Sequence, residues 1–172
     1  MEAINTEKVN FIHHNTLSEK AEETFLLHKT LIAILLPEAD IQHVGSSAVP
    51  NSITKGDLDI QVRVEAYLFP KAVQELSKLY EVNEGSTKSQ TFRAFKDDSV
   101  DPPLGVQLTV IGSEYDFFWK FRDILIMNEQ YRKEYDELKR NFEGRDMELY
   151  RKAKNEFFER LMETPEFQQF DR

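Results

Sequence analysis

Cysteine is missing from the sequence. Its absence excludes a disulfide framework and a thiolate zinc site, and it suits a cytoplasmic setting. Long apolar runs are missing as well. No stretch approaches the ~20 residues needed to cross a bilayer, and the opening Met1-Glu2-Ala3-Ile4 has neither the basic start nor the apolar run of a secretion signal. Positive charge is scarce, with 22 basic against 31 acidic residues and a formal charge of −9. Bare nucleic acid is therefore a poor partner on charge alone, and a small-molecule or metal-assisted partner suits the balance better. No repeat, low-complexity tract or linker divides the chain, so residues 1–172 are read as one domain. Phenylalanine is plentiful, 13 against one tryptophan, which points to a core built on Phe packing.

The order of elements predicts an α/β (α+β) fold. Ser18 to Leu36 carries the first helical pattern, with Ser18 as its cap, Leu27, Leu31, Ile34 and Leu35 as its buried stripe, and Pro37 as its stop. Ile41 to Val44 suits a short strand leading into the turn Gly45-Ser46-Ser47. The clearest strand is Asp57 to Val64, where Leu58, Ile60, Val62 and Val64 alternate with Asp57, Asp59, Gln61 and Arg63. One wholly apolar and one wholly polar face predict a sheet packed on helices from one side. A helix over Phe69 to Tyr80, two strands around Gly85-Ser86, a turn-rich loop from Asp97 to Pro103 and a strand from Leu104 to Ile111 follow. From Glu114 onward the chain reads as helical. Phe117, Phe121, Ile124 and Leu125 give one apolar face, Tyr150, Ala153, Phe157 and Leu161 another, and Asp146 caps the last helix. Helices, then strands with a crossover helix, then a helical tail predict a mixed sheet packed with helices.

Two features carry chemistry. In Asp57-Leu58-Asp59, residues two apart on a strand point the same way, ~6–7 Å apart at the backbone. Their carboxylates can converge on a hard cation such as Mg²⁺ and would repel each other without one. The same alternation also suits a solvated strand face. In His43-Val44-Gly45-Ser46-Ser47, glycine lets a ligand approach the backbone, and exposed N–H groups with two hydroxyls can grip phosphate oxygens. The segment also suits a plain turn, and it lacks the Gly-Lys-Ser/Thr ending of a P-loop. A Gly-Ser turn followed a dozen residues later by D-x-D pairs a phosphate grip with a metal site, as phosphoryl or nucleotidyl transfer requires. Lys55 can add positive charge at the same strand end, and Arg93 can hold a phosphate bidentately.

Gly45-Ser46 with Asp57-Leu58-Asp59 resembles the signature of the nucleotidyltransferase superfamily. The longer run His43 to Pro50, with Lys55, Asp59 and Ile60, resembles the GrpB family, as do Phe121-Arg122-Asp123 and the spacing of Tyr150, Lys154 and Phe157. The resemblance implies a nucleotidyltransferase-like mixed sheet with a helical C-terminal segment, and a nucleoside triphosphate with Mg²⁺ as ligands. Its implied site comprises Gly45, Ser46, Ser47 and Lys55 for nucleotide and Asp57 and Asp59 for metal and catalysis, to which Arg93 is added from its own place between Phe92 and Ala94 on a predicted strand. The implied reaction moves a nucleotidyl group to an acceptor; a non-catalytic nucleotide- or coenzyme-binding module is the alternative. Active members of the superfamily place a third acid on a later strand, where this chain offers Gln107 and Thr109, neither of them a useful base. Asp97, Asp98 and Asp101 in the preceding loop are the remaining acids near that strand. Arg122 and Asp123 are expected to pair and anchor their helix to the sheet. Lys154 is a further candidate for ligand contact, and His43 is expected to orient the Gly-Ser loop.

Overall fold

The computed structural model describes residues 7–171. The start of the chain read above for a secretion signal, residues 1–6, lies outside the described residues. Strand β1 (Ile12–His13) leads into helix α1 (His14–Leu35), followed by β2 (Asp40–Val44), β3 (Ile53–Thr54) and β4 (Leu58–Val64). Helix α2 (Phe69–Leu76) then crosses to β5 (Glu81–Val82), β6 (Phe92–Asp97) and β7 (Leu104–Val110). Helices α3 (Phe118–Met127), α4 (Glu129–Phe142), α5 (Met147–Met162) and the short α6 (Pro165–Gln168) complete the chain. Among the described residues no helix is long and apolar enough to cross a membrane.

The mixed sheet is five-stranded among the described residues, in the order β2-β4-β7-β6-β5, with β1 and β3 forming a separate antiparallel pair. Only β4 and β7 run parallel. Helix α2 and the β5–β6 hairpin lie between those two strands in sequence, supplying the long crossover that parallel neighbours need. The apolar face, with Leu58, Ile60, Val62, Val64, Val106 and Leu108, packs on α1 and α2 to make the main core.

Several expectations are corrected. The helix α1 begins at His14, four residues before Ser18, because the His13 side chain accepts a hydrogen bond from the Asn15 N–H and caps it. Its buried stripe is Ala21, Phe25, His28 and Ile32. Leu27 and Ile34 are 58% and 72% exposed, so the expected stripe faces largely outward, with Leu35 its one member packed against the core. The helical tail is broken at Asn128, whose side chain caps α4 by accepting from the Tyr131 N–H. Asp146 caps α5 as expected, accepting from the Leu149 N–H at 3.0 Å.

The polar face of the sheet is also covered. Gln61 and Thr109 are fully buried, and Asp116 is nearly so. Burial is tolerated because every charge finds a partner. Arg63 makes a two-pronged contact with Asp116, both bonds 2.8 Å, and donates to Asp40 at 2.7 Å. Gln61 donates to Thr109 and Asp116, each at 2.9 Å, and accepts from the Trp119 N–H at 3.1 Å. That last bond ties the start of α3 to the sheet. Arg122 pairs with Asp123 and donates to the His43 carbonyl at 3.0 Å, anchoring α3 to β2 as expected. Phe121 meets Phe158 and Phe167 in a second apolar cluster formed by α3, α4, α5 and α6.

Candidate functional site

The end of β2 turns sharply into the loop that holds the site. Gly45 has φ +75°, a conformation L side chains rarely adopt, and a 3-10 turn over Ser46–Ala48 follows. His43 braces the turn from beneath: its Nε2 lies 2.9 Å from the Ser47 Oγ, and its ring stacks on Phe25. Burial, with Arg122 and His14 nearby, lowers the His43 pKa to about 4, so the brace is a neutral imidazole. From above, α4 delivers Lys139. Its ammonium is 1% exposed and donates to the Ser46 Oγ at 3.0 Å and to the Ile53 carbonyl at 2.6 Å. Burial pulls the Lys139 pKa down to about 8 despite Asp136 beside it.

Beside this turn, β4 begins. Asp57 lies just ahead of the strand and Asp59 is its second residue. A Cβ on Gly45 would come within 2.5 Å of Asp59 Oδ2, and one on Gly105 within 3.0 Å of Oδ1. Two glycines, one in the turn after β2 and one on β7, therefore make the slot that the Asp59 carboxylate fills. Burial first, and then the charge of Asp57, raise the Asp59 pKa to about 6, against the opposing pull of Lys55, Lys154 and a Gln107 hydrogen bond. Since a carboxylate only accepts, Gln107 must present its Nε2–H to Asp59. Lys55 lies 3.4 Å from Asp57. Lys154, from α5, is half-buried near Lys55, Asp59 and Asp57, and its pKa is lowered mainly by desolvation.

Gly45, Ser46, Lys55, Asp57 and Asp59 thus line one cleft of about 560 Å³. Its opposite wall is apolar, with Phe117, Phe121 and Phe158 from the helices. Two expected members lie elsewhere. Ser47 is 2% exposed and committed to His43. Arg93 pairs with Leu108 across the β6–β7 ladder and so shares the α1–α2 face, opposite to Asp59 and Gln107. Of the three loop acids, Asp98 pairs with Lys96 and Asp101 with Lys20, while Asp97 accepts from Ser99. Lys139 was missed by sequence reasoning, although a lysine four residues after Tyr135, between Leu138 and Phe142, stands on an apolar helical stripe and signals burial.

Among the described residues no group of three His, Cys, Asp or Glu gathers to hold a metal. On β7, the strand parallel to β4, the same face as Asp59 carries Gly105, Gln107 and Thr109 and no acid. The paired carboxylates nonetheless fit a hard divalent ion, which takes one or two carboxylates and completes its shell with water and phosphate oxygens. A cation would also offset both the burial and, after it, the repulsion from Asp57 that raise the Asp59 pKa.

The model of the family described as GrpB protein matches residues 13–164. This chain belongs to the GrpB family. A UPF0157 protein of Vibrio cholerae is 33% identical over 156 residues, 91% of this chain and 83% of that protein. The crystal structure of conserved protein GrpB from Enterococcus faecalis shares the fold at TM-score 0.68 and 17% identity, over 94% of this chain and 99% of the other. A structure of Cid1, titled in complex with the UTP analogue UMPNPP, superposes over 73% of this chain and 41% of its own at TM-score 0.45 and 11% identity, too loose a likeness to bear on function. In GrpB terms, the Gly-Ser turn and the D-x-D pair fall within the matched residues and face one another across β2 and β4.

Proposed function

We propose that this GrpB protein binds a nucleoside triphosphate with Mg²⁺ in the cleft and passes its nucleotidyl group to a hydroxyl acceptor. The observation that carries the reading is the Asp59 carboxylate, wedged between Gly45 and Gly105 close to Asp57 and beside the Gly45-Ser46 turn. Gly45 and Ser46 donate to phosphate oxygens, and Lys55 and Lys154 offset their charge. Asp57 and Asp59 hold the ion. When bound, Mg²⁺ would neutralise charge on the phosphates and align them. The phenylalanine wall receives the base. The acceptor oxygen forms a bond to the α-phosphorus as the bond to the α–β bridging oxygen breaks. Pyrophosphate leaves with that electron pair, and the hydroxyl proton passes to water.

A second reading, nucleotide or coenzyme binding without turnover, is favoured by Gln107, which offers no base where an acid would stand. Pyrophosphate release from Mg²⁺–nucleoside triphosphate separates the two. Release by the wild type that Asp59→Asn reduces at least a hundredfold supports transfer. Binding without release supports the second reading. Release that Asp59→Asn leaves untouched refutes the site.

A further inference from the structure

Asp57 and Asp59 stand at the join of two cavities. The cleft described above lies on one side. On the other, a groove of about 840 Å³ runs over the polar face of β7 and β6 towards the β5–β6 turn. Lys55, Asp57, Asp59, Gln107 and Phe118 line both. The groove exists because its floor is small: Gly105 and Ala94 share this face, each beside a longer neighbour, Lys96 and Gln107. The walls differ in kind. The first cleft is walled mainly by phenylalanines, with Arg122 and Lys154 among them, whereas the groove is walled mainly by charged and amide side chains, with Phe92 and Met147 among them. Apart from the two carboxylates assigned to the ion and the Lys55 beside them, the groove's charges nearly balance, with Lys8, Lys96 and Arg151 against Glu7 and Asp98. Several are already spent on one another or nearby, as Lys55 with Asp57, Lys96 with Asp98 and Arg151 with Glu148. Asn10, Asn83 and Ser86 add neutral donors and acceptors. A lining of this kind offers many hydrogen bonds and little net field, which suits an uncharged, hydroxyl-rich molecule better than an anion or cation.

One atom makes the match specific. With its Nε2–H committed to Asp59, Gln107 turns its Oε1 away, and that oxygen is buried with no hydrogen-bond partner. A buried acceptor without a donor is costly and calls for one from a ligand or water. We propose that the groove is the acceptor site, that it takes a sugar or polyol, and that Gln107 Oε1 receives the hydroxyl that reacts. The proposal rests on the cleft being the nucleotide site, because it assigns donor and acceptor to opposite sides of the same carboxylates.

The test uses saturation-transfer NMR with D-ribose and myo-inositol at millimolar concentration, on the full chain with Mg²⁺. Wild type, Gln107→Met and Ser86→Trp are compared. Ser86 lies in the exposed turn between β5 and β6, so a tryptophan there fills the groove with little demand on the core. Thermal unfolding confirms that each variant folds. At least one probe gives a signal with wild type, reduced about tenfold or more in both variants, an effect of about 1.4 kcal/mol in binding. No signal from wild type, or equal signals from all three proteins, overturns the proposal. A parallel melting-temperature measurement with Mg²⁺–ATP, -CTP, -GTP and -UTP separates the two readings. Nucleotide binding without polyol binding removes only the acceptor site. Polyol binding without nucleotide binding leaves the groove in place and removes the donor reading.

Discussion

The two faces of the sheet solve burial differently. The face towards α1 and α2 buries Leu58, Ile60, Val62 and Val64, at most 1% exposed, by apolar packing, with the His28–Tyr80 pair as a polar contact within that core. The face towards α3 and α5 buries Gln61, Thr109 and Asp116 by pairing them with Arg63 and with the Trp119 N–H. Only at the end of that second face, around Asp57 and Asp59, are the carboxylates poorly compensated. There the pKa of Asp59 rises to about 6. Apolar burial is tolerant of detail and makes stability. Polar burial is demanding, and the place where its demands go unmet is where a ligand has something to supply.

Substitutions sharpen this contrast. Val62→Asp puts an unpaired charge into the fully buried apolar face and should cost about 4 kcal/mol or more; urea unfolding would show a chain with little folded population. On the polar face, Arg63→Met leaves Asp116 buried without its cation and should cost about 3 kcal/mol by the same measurement. Asp59→Asn should act in the opposite direction, raising stability at pH 7 by about 2 kcal/mol once partial exposure is allowed for. The sign follows from linkage. Between the ordinary aspartate value and about 6, the folded chain keeps a proton that the unfolded chain has released. Stability from this group is therefore highest at low pH and falls as pH rises from about 4 to about 6. The wild-type minus variant difference should show that fall and then run flat to pH 8. Gln61→Leu, which removes the acceptor of the Trp119 N–H, should cost about 1 kcal/mol. A cost equal to that of Val62→Asp would mean the two faces are not different in kind.

Alternation made β4 and β7 legible in the sequence, and spacing placed Gly45, Ser46, Lys55, Asp57 and Asp59 in one cleft. Which side of a helix or strand faces inward was harder to see. Helix α1 carries two apolar stripes of the same period. The one that packs on the sheet includes His28, whose Nδ1 lies 2.6 Å from the buried Tyr80 hydroxyl. Hydropathy alone favours the leucine stripe, because the partner that makes His28 tolerable comes from 52 residues away. Arg93 illustrates the same limit: its face is set by pairing with Leu108, which one strand cannot reveal by itself. Polar side chains on β4 suggested solvent because alternation reports polarity and not exposure. Their burial depends on Asp116 and Trp119 arriving from another part of the chain.

The role proposed for Asp57 and Asp59 is to bind a metal-bridged nucleotide. The most direct measurement is the melting temperature of wild type and of the double variant Asp57→Asn/Asp59→Asn with each of the four nucleoside triphosphates, with and without Mg²⁺. A ligand that binds only the folded chain raises the melting temperature by mass action. With that role, wild type shows a Mg²⁺-dependent rise with at least one nucleotide, absent from the double variant. No rise with any nucleotide, or an equal rise in the variant, would contradict it.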